Sequence, residues 1–223
     1  MAVKKNVAGT KAPITETTII GWYVQSVLEN NGTPQNVYSF CKQNGIEETD
    51  FYKIFGSFDA LKQSVWNAFL NNATQAMQNE PSYATYTPKN KLLSLYFTLF
   101  EILTLNRSYI LYSLKDNGEG LKNLQDLKQF RRQFKDFVTT LVQNASPVSE
   151  RIQKIKEPVY AEGAWVQFLF ILKFWIDDNS PGFEKTDIVI EKSVNTVVDL
   201  FDTKPLENLF DLGKFLWKEA KMR

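Results

Sequence analysis

The chain offers a narrow set of reactive groups. None of its 223 residues is histidine, which removes the commonest general base, the middle member of a nucleophilic triad and a frequent metal ligand. The one cysteine, Cys41, excludes an intramolecular disulfide and a cysteine-based zinc site; on an apolar helix face it reads as an ordinary buried thiol. Carboxylates remain. Asp177 and Asp178 are adjacent, but neighbours at a helix end point in different directions, and no Gly-rich phosphate loop accompanies them. With Glu184 and Asp187 they read as a solvated acidic patch around a loop, not a metal site. The chain is therefore expected not to be an enzyme and to need no cofactor or metal.

A different chemistry is concentrated in GIEETDFYKIFGSFDAL, residues 45–61. Glu48, Thr49, Asp50, Tyr52 and Lys53 are hydrogen-bonding side chains on one short segment, while Phe51, Ile54 and Phe55 are spaced to turn inward. The apolar spacing has the shape of the second half of a helix-turn-helix.

The elements that must position these groups are helical. Glycine and proline are few, at 10 and 8, and valine and isoleucine rarely alternate with polar residues, so the fold class is all-α. Residues 1–13 read as a flexible basic arm with Lys4, Lys5 and Lys11. A helix is predicted from Thr15 to Asn30, stopped at Asn31-Gly32. Thr33-Pro34 is predicted to open a short second helix, Asn44-Gly45 the next turn, and Glu47–Phe55 a third helix. Ser57 then caps a longer helix to Gln78. The stretch at 79–90 holds two prolines and no helical period, which places a domain boundary there. Beyond it, Leu92, Leu95, Tyr96, Leu99, Phe100 and Leu103 follow a strict amphipathic spacing. Further helices are predicted at 107–116, 119–144, 149–156, 160–177, 184–202 and 205–221, with Pro158 dividing two of them. Arg131 and Arg132 read as the wet side of an amphipathic helix.

The start of the chain has lysines but no apolar core of a signal peptide. The most apolar run, AWVQFLFILKFWI at 164–176, is interrupted by Gln167 and Lys173 and falls short of the about 20 residues of a membrane span. A soluble, cytoplasmic protein is expected. Its 26 basic and 25 acidic residues argue against a general polyanion binder.

The order of signals over residues 15–61 resembles the N-terminal domain of TetR-family transcriptional regulators. The matching residues are Gly32, Thr33, Val37, Gly45, Ile46, Phe51, Tyr52, Phe55, Ser57, Asp59 and Leu61. GFEKTDIVIEKSVNTVVDLFD, at 182–202, also looks like C-terminal domains of TetR-like proteins of Bacteroidetes. The resemblance implies an Ω-shaped homodimer, with a DNA-binding head at 14–78 that includes the fourth helix as linker. A ligand-binding and dimerising body would follow at 79–223. It implies that Glu48, Thr49, Asp50 and Lys53 of the third helix enter the major groove of a double-stranded operator. Thr33, with Gln35, and Tyr52 would hold phosphates. Phe51 and Phe55 read as core, Thr33 as a helix cap, and Gly32 and Gly45 as turn residues with positive φ.

The sequence departs from the family in charge. Glu47, Glu48 and Asp50 open the third helix, and Phe58 stands where a lysine is usual. Over residues 15–61, Lys42 and Lys53 face Glu16, Glu29, Glu47, Glu48, Asp50 and Asp59, a net −4. Phosphate attraction supplies most non-specific DNA affinity, so these acids oppose binding, although first-turn acids also favour the helix dipole.

In the body, Trp165, Phe168, Leu169, Leu172, Trp175 and Ile176 share one broad helix face, which reads as a ligand tunnel, a dimer seam or ordinary core. A pocket for a small hydrophobic ligand is expected among Tyr96, Phe100, Trp165, Phe168 and Leu172. By the same resemblance, the helices at 160–177 and 184–202 would form a four-helix dimer interface. Two functions follow: a TetR-like regulator controlled by a small apolar ligand, or a TetR-fold protein that has lost DNA binding and holds an isoprenoid or quinone-type lipid. WIDDNSPGFEKT is loosely similar to a segment of the lipid-binding accessory protein of ubiquinone biosynthesis.

Overall fold

The computed structural model describes residues 13–115, 124–143 and 150–202. Most of the basic arm, the start of the helix predicted at 119–144 and the helix predicted at 205–221 lie outside the described residues. The chain is all-α, with no strand among the described residues. In order, the helices are α1 (Glu16–Asn30), α2 (Val37–Asn44), α3 (Glu48–Tyr52), α4 (Phe58–Gln78), α5 (Pro88–Leu105), α6 (Arg107–Lys115), α7 (Lys128–Gln143), α8 (Glu150–Asp177) and α9 (Glu184–Asp202). The chain divides into two compact units between Val65 and Trp66, a point inside α4.

In the first unit, local capping sets the helix ends. The Thr15 hydroxyl accepts a hydrogen bond from the Thr18 N–H at 3.2 Å and opens α1. Asn31, at φ 47°, closes it, so the asparagine takes the left-handed turn expected of Gly32. Asparagine tolerates that region because its short polar side chain hydrogen-bonds locally. The second helix begins later than Thr33-Pro34. Asn36 is its cap, accepting from the Ser39 N–H at 2.8 Å, and asparagine outranks threonine in that role. Gly45, at φ 67°, ends α2 as the sequence predicts. The third helix is shorter than Glu47–Phe55, stopping at Tyr52; Ser57 Oγ then accepts from the Ala60 N–H at 3.2 Å to open α4.

An aromatic cluster holds these helices together. The Phe58 ring lies 5.7 Å from each of Tyr23, Phe40 and Phe51, and Phe51 lies 5.9 Å from Phe55. Such pairs add about 0.5–1.5 kcal/mol beyond their burial. Phe58, where the family resemblance leads to a lysine, is thus a packing residue.

In the second unit all six α5 positions predicted to face inward are buried. They pack against α9 and α7, and Tyr96 and Phe100 also reach Ala164, Phe168 and Trp175 of α8. Pro158 does not divide α8, which runs unbroken from Glu150 to Asp177. An interior proline costs about 3 kcal/mol, and the buried series Ala161, Ala164, Trp165, Phe168, Ile171, Leu172 and Trp175 beyond it outweighs that cost.

Candidate DNA-binding head and ligand groove

Of the residues implied to touch DNA, Gln35, Thr49, Tyr52 and Lys53 are exposed, and Thr33, Glu48 and Asp50 are half-buried. Asp50 Oδ1 accepts from Lys53 Nζ at 2.8 Å, so the basic residue of this segment is held by an acid of the same turn. Tyr52 is 52% exposed, and its ring meets Phe51 edge-on at 5.5 Å. The acids of α3 are felt beyond it. The buried Cys41 thiol is pushed up in pKa by burial and then by Glu48, Asp50 and Glu47. Two exposed groups of α2 escaped the sequence reading. Tyr38 and Lys42, one helical turn apart, form a cation–π pair with the ammonium 5.9 Å from the ring centre. Their i, i+4 spacing was the available signal.

The five residues expected to line a pocket are all buried in the body's core. Phe168 lies 4.9 Å from Phe130, 5.6 Å from Phe134, 5.4 Å from Trp165 and 6.0 Å from Phe100, so the rings fill one another's space. Tyr96 donates its hydroxyl proton to the Ala164 carbonyl at 3.0 Å, and full burial raises its pKa well above the ordinary value. Gln167, which interrupts the apolar run, is also buried; its amide donates to Ser193 Oγ at 3.0 Å and links α8 to α9.

A groove of about 300 Å³ lies beside this core. It is built from α5 (Phe97, Phe100, Glu101, Thr104, Leu105), the end of α8 (Trp175), the 181–183 turn (Gly182, Phe183) and the start of α9 (Thr186, Asp187). Phe100 is the member of the expected set that reaches it.

Behind two of these rings sits Arg107, a further residue that the sequence does not mark. Its guanidinium carbon is 4.4 Å from the Trp175 ring centre and 4.6 Å from that of Phe183. Its nitrogens donate to the Trp175 and Ile176 carbonyls at 2.9 and 3.0 Å, at the C-terminal end of α8, where a cation complements the helix dipole. Burial lowers its pKa, and the Asp178 carboxylate opposes that change. Phe183 reaches this position with φ 60°, after Gly182 at φ 62°. A bulky residue there is strained by about 1–3 kcal/mol.

The acidic patch is not uniformly solvated. Asp177 and Glu184 are exposed, but Asp178 is buried. Asp178 accepts from the Ser180 N–H and Oγ at 2.9 and 2.7 Å, and from the Thr186 N–H and Oγ1 at 3.0 and 2.7 Å. Burial works against its charge, yet these four donors lower its pKa to about 2. Sequence charge alone could not separate it from its neighbours. Asp187 shifts the other way, raised by burial and by the nearby Asp178 charge.

Arg131 is more than a wet-side residue. It pairs with Glu162 at 2.8 Å and lies over the Trp165 ring at 5.7 Å, and Lys135 bonds the same carboxylate. The outer side of α8 is apolar as well as the inner, with Val159, Val166 (64% exposed) and Phe170 (57% exposed) along one face. Ile188 is exposed on α9. By length and composition alone Glu157–Asp177 could cross a membrane, at a mean hydropathy of 1.3, but its inner face is the core of this unit.

No curated protein matches the sequence. A family model described as tetracyclin repressor-like, C-terminal domain, matches residues 91–216, more than half of the chain. Those residues take in α5 from its fourth residue, all of α6 to α9, and every residue that lines the groove. The chain belongs to the tetracyclin repressor-like, or TetR, family.

Proposed function

We propose that this protein is a cytoplasmic, homodimeric transcriptional regulator whose head binds a double-stranded operator and whose body responds to a small ligand. One observation carries the reading: α1–α3 close on a single aromatic core and leave Tyr38, Thr49, Tyr52 and Lys53 uncovered. These are side chains that hydrogen-bond bases and phosphates. The outer face of α8, with Ile188 of α9, supplies an apolar surface of the kind a dimer covers. The groove supplies a ligand site of the size at which small-molecule pockets begin.

The test is fluorescence anisotropy with duplex DNA from upstream of the protein's own gene, across a salt series. A specific complex should weaken as salt rises, and Lys53→Glu and Tyr52→Phe should abolish it. Absence of any sequence-specific complex at low salt would sink the reading.

The second reading, a TetR-fold lipid carrier without DNA binding, is favoured by the Lys53–Asp50 pair and the net −4 of residues 15–61. Native mass spectrometry of the purified protein distinguishes the two. A bound isoprenoid lipid together with no operator complex supports the carrier.

A further inference from the structure

We infer that the groove between α5, the end of α8 and the start of α9 takes an organic cation, a compact aromatic or aliphatic ammonium. The inference rests on the reading of the body as a ligand-binding domain and names the class of ligand. The observations are the wall and its charges. Phe97, Phe100, Trp175 and Phe183 line the groove, and ring faces attract cations. Glu101 and Asp187 line it too, and neither carboxylate has a hydrogen-bond or ion-pair partner among the described residues. Asp187 also lies in the field of the buried Asp178 carboxylate, so a positive charge beside it relieves a like-charge repulsion.

Two other ligand classes fit less well. An anion would need a free basic group, but Arg107 does not line the groove and its guanidinium is bonded to the Trp175 and Ile176 carbonyls. A long isoprenoid needs far more than about 300 Å³ and gains nothing from two carboxylates. Arg107 itself shows what these rings accept, since its cation already packs on Trp175 and Phe183.

The test uses the full chain and two probes of one shape, benzyltrimethylammonium and its neutral isostere neopentylbenzene. Binding is followed by calorimetry and by the indole N–H shift of Trp175. The cation should bind at least about tenfold more tightly than the isostere, and Glu101→Gln/Asp187→Asn should cut that preference at least about threefold, the remainder coming from the rings. Both substituted residues are exposed, and circular dichroism checks that the variant folds. Equal binding of the two probes, or a preference that the double substitution leaves undiminished, overturns the cation assignment while leaving a ligand-binding body in place. If neither probe binds, the cation assignment falls. If the operator complex also ignores a panel of neutral lipophiles, the ligand-binding reading falls with it.

Discussion

Arg107 lies over the Trp175 ring, 4.4 Å from its centre, and donates to that same residue's carbonyl, 2.9 Å away, so one side chain both packs on an aromatic wall of the groove and caps α8. Lysine can supply the charge but neither the planar stack nor the two-pronged donation. Arg107→Lys should therefore lower the stability of the body by about 1–2 kcal/mol, and Arg107→Ala by more, measured by urea unfolding.

Asp178 makes a pH prediction whose sign is set by its depressed pKa of about 2, against an ordinary value of 3.8. A lowered carboxylate pKa stabilises the fold above the unfolded-state value, and that contribution is lost as pH falls from about 4 towards about 2. Asp178→Asn should lower the Tm by a few degrees at pH 7. The gap between wild type and variant should narrow below pH 4 and close near pH 2.

The resemblance of residues 15–61 to TetR heads leads to a lysine at position 58, which makes Phe58→Lys look like a route to stronger DNA binding. Its three ring contacts at 5.7 Å say otherwise. The substitution should cost about 2–4 kcal/mol and unfold the head, read by far-UV circular dichroism, and the operator complex proposed above should weaken with it in anisotropy.

Val166 and Phe170 lie exposed on the outer face of α8, uncovered by any of the described residues. If this face is the dimer seam, Val166→Glu/Phe170→Glu should convert dimer to monomer in sedimentation velocity and leave the helical signal unchanged. A dimer that persists places the seam elsewhere.

Helical order was legible because periodicity reports which side of each helix turns inward, as the six buried residues of α5 show. It does not report whether the facing elements leave a gap. Tyr96, Trp165 and Phe168 have the residue types of a pocket and the packing of a core, while the groove is opened by a strained turn at Gly182 and Phe183 that no period announces. Asn36 caps α2 three residues after Thr33, and Asn31 takes the left-handed turn one residue before Gly32, because asparagine competes for both roles. Pro158 was read as punctuation because the packing of α8 that outweighs it is formed by residues distant in sequence.

Cys41 has a practical consequence. A thiol kept protonated by burial and by three nearby carboxylates is a poor nucleophile at neutral pH. It is also the sole cysteine of the chain. The natural sequence is therefore ready for site-specific labelling: a cysteine placed at the exposed Thr49 should take a maleimide dye while Cys41 stays unmodified, with no background substitution needed.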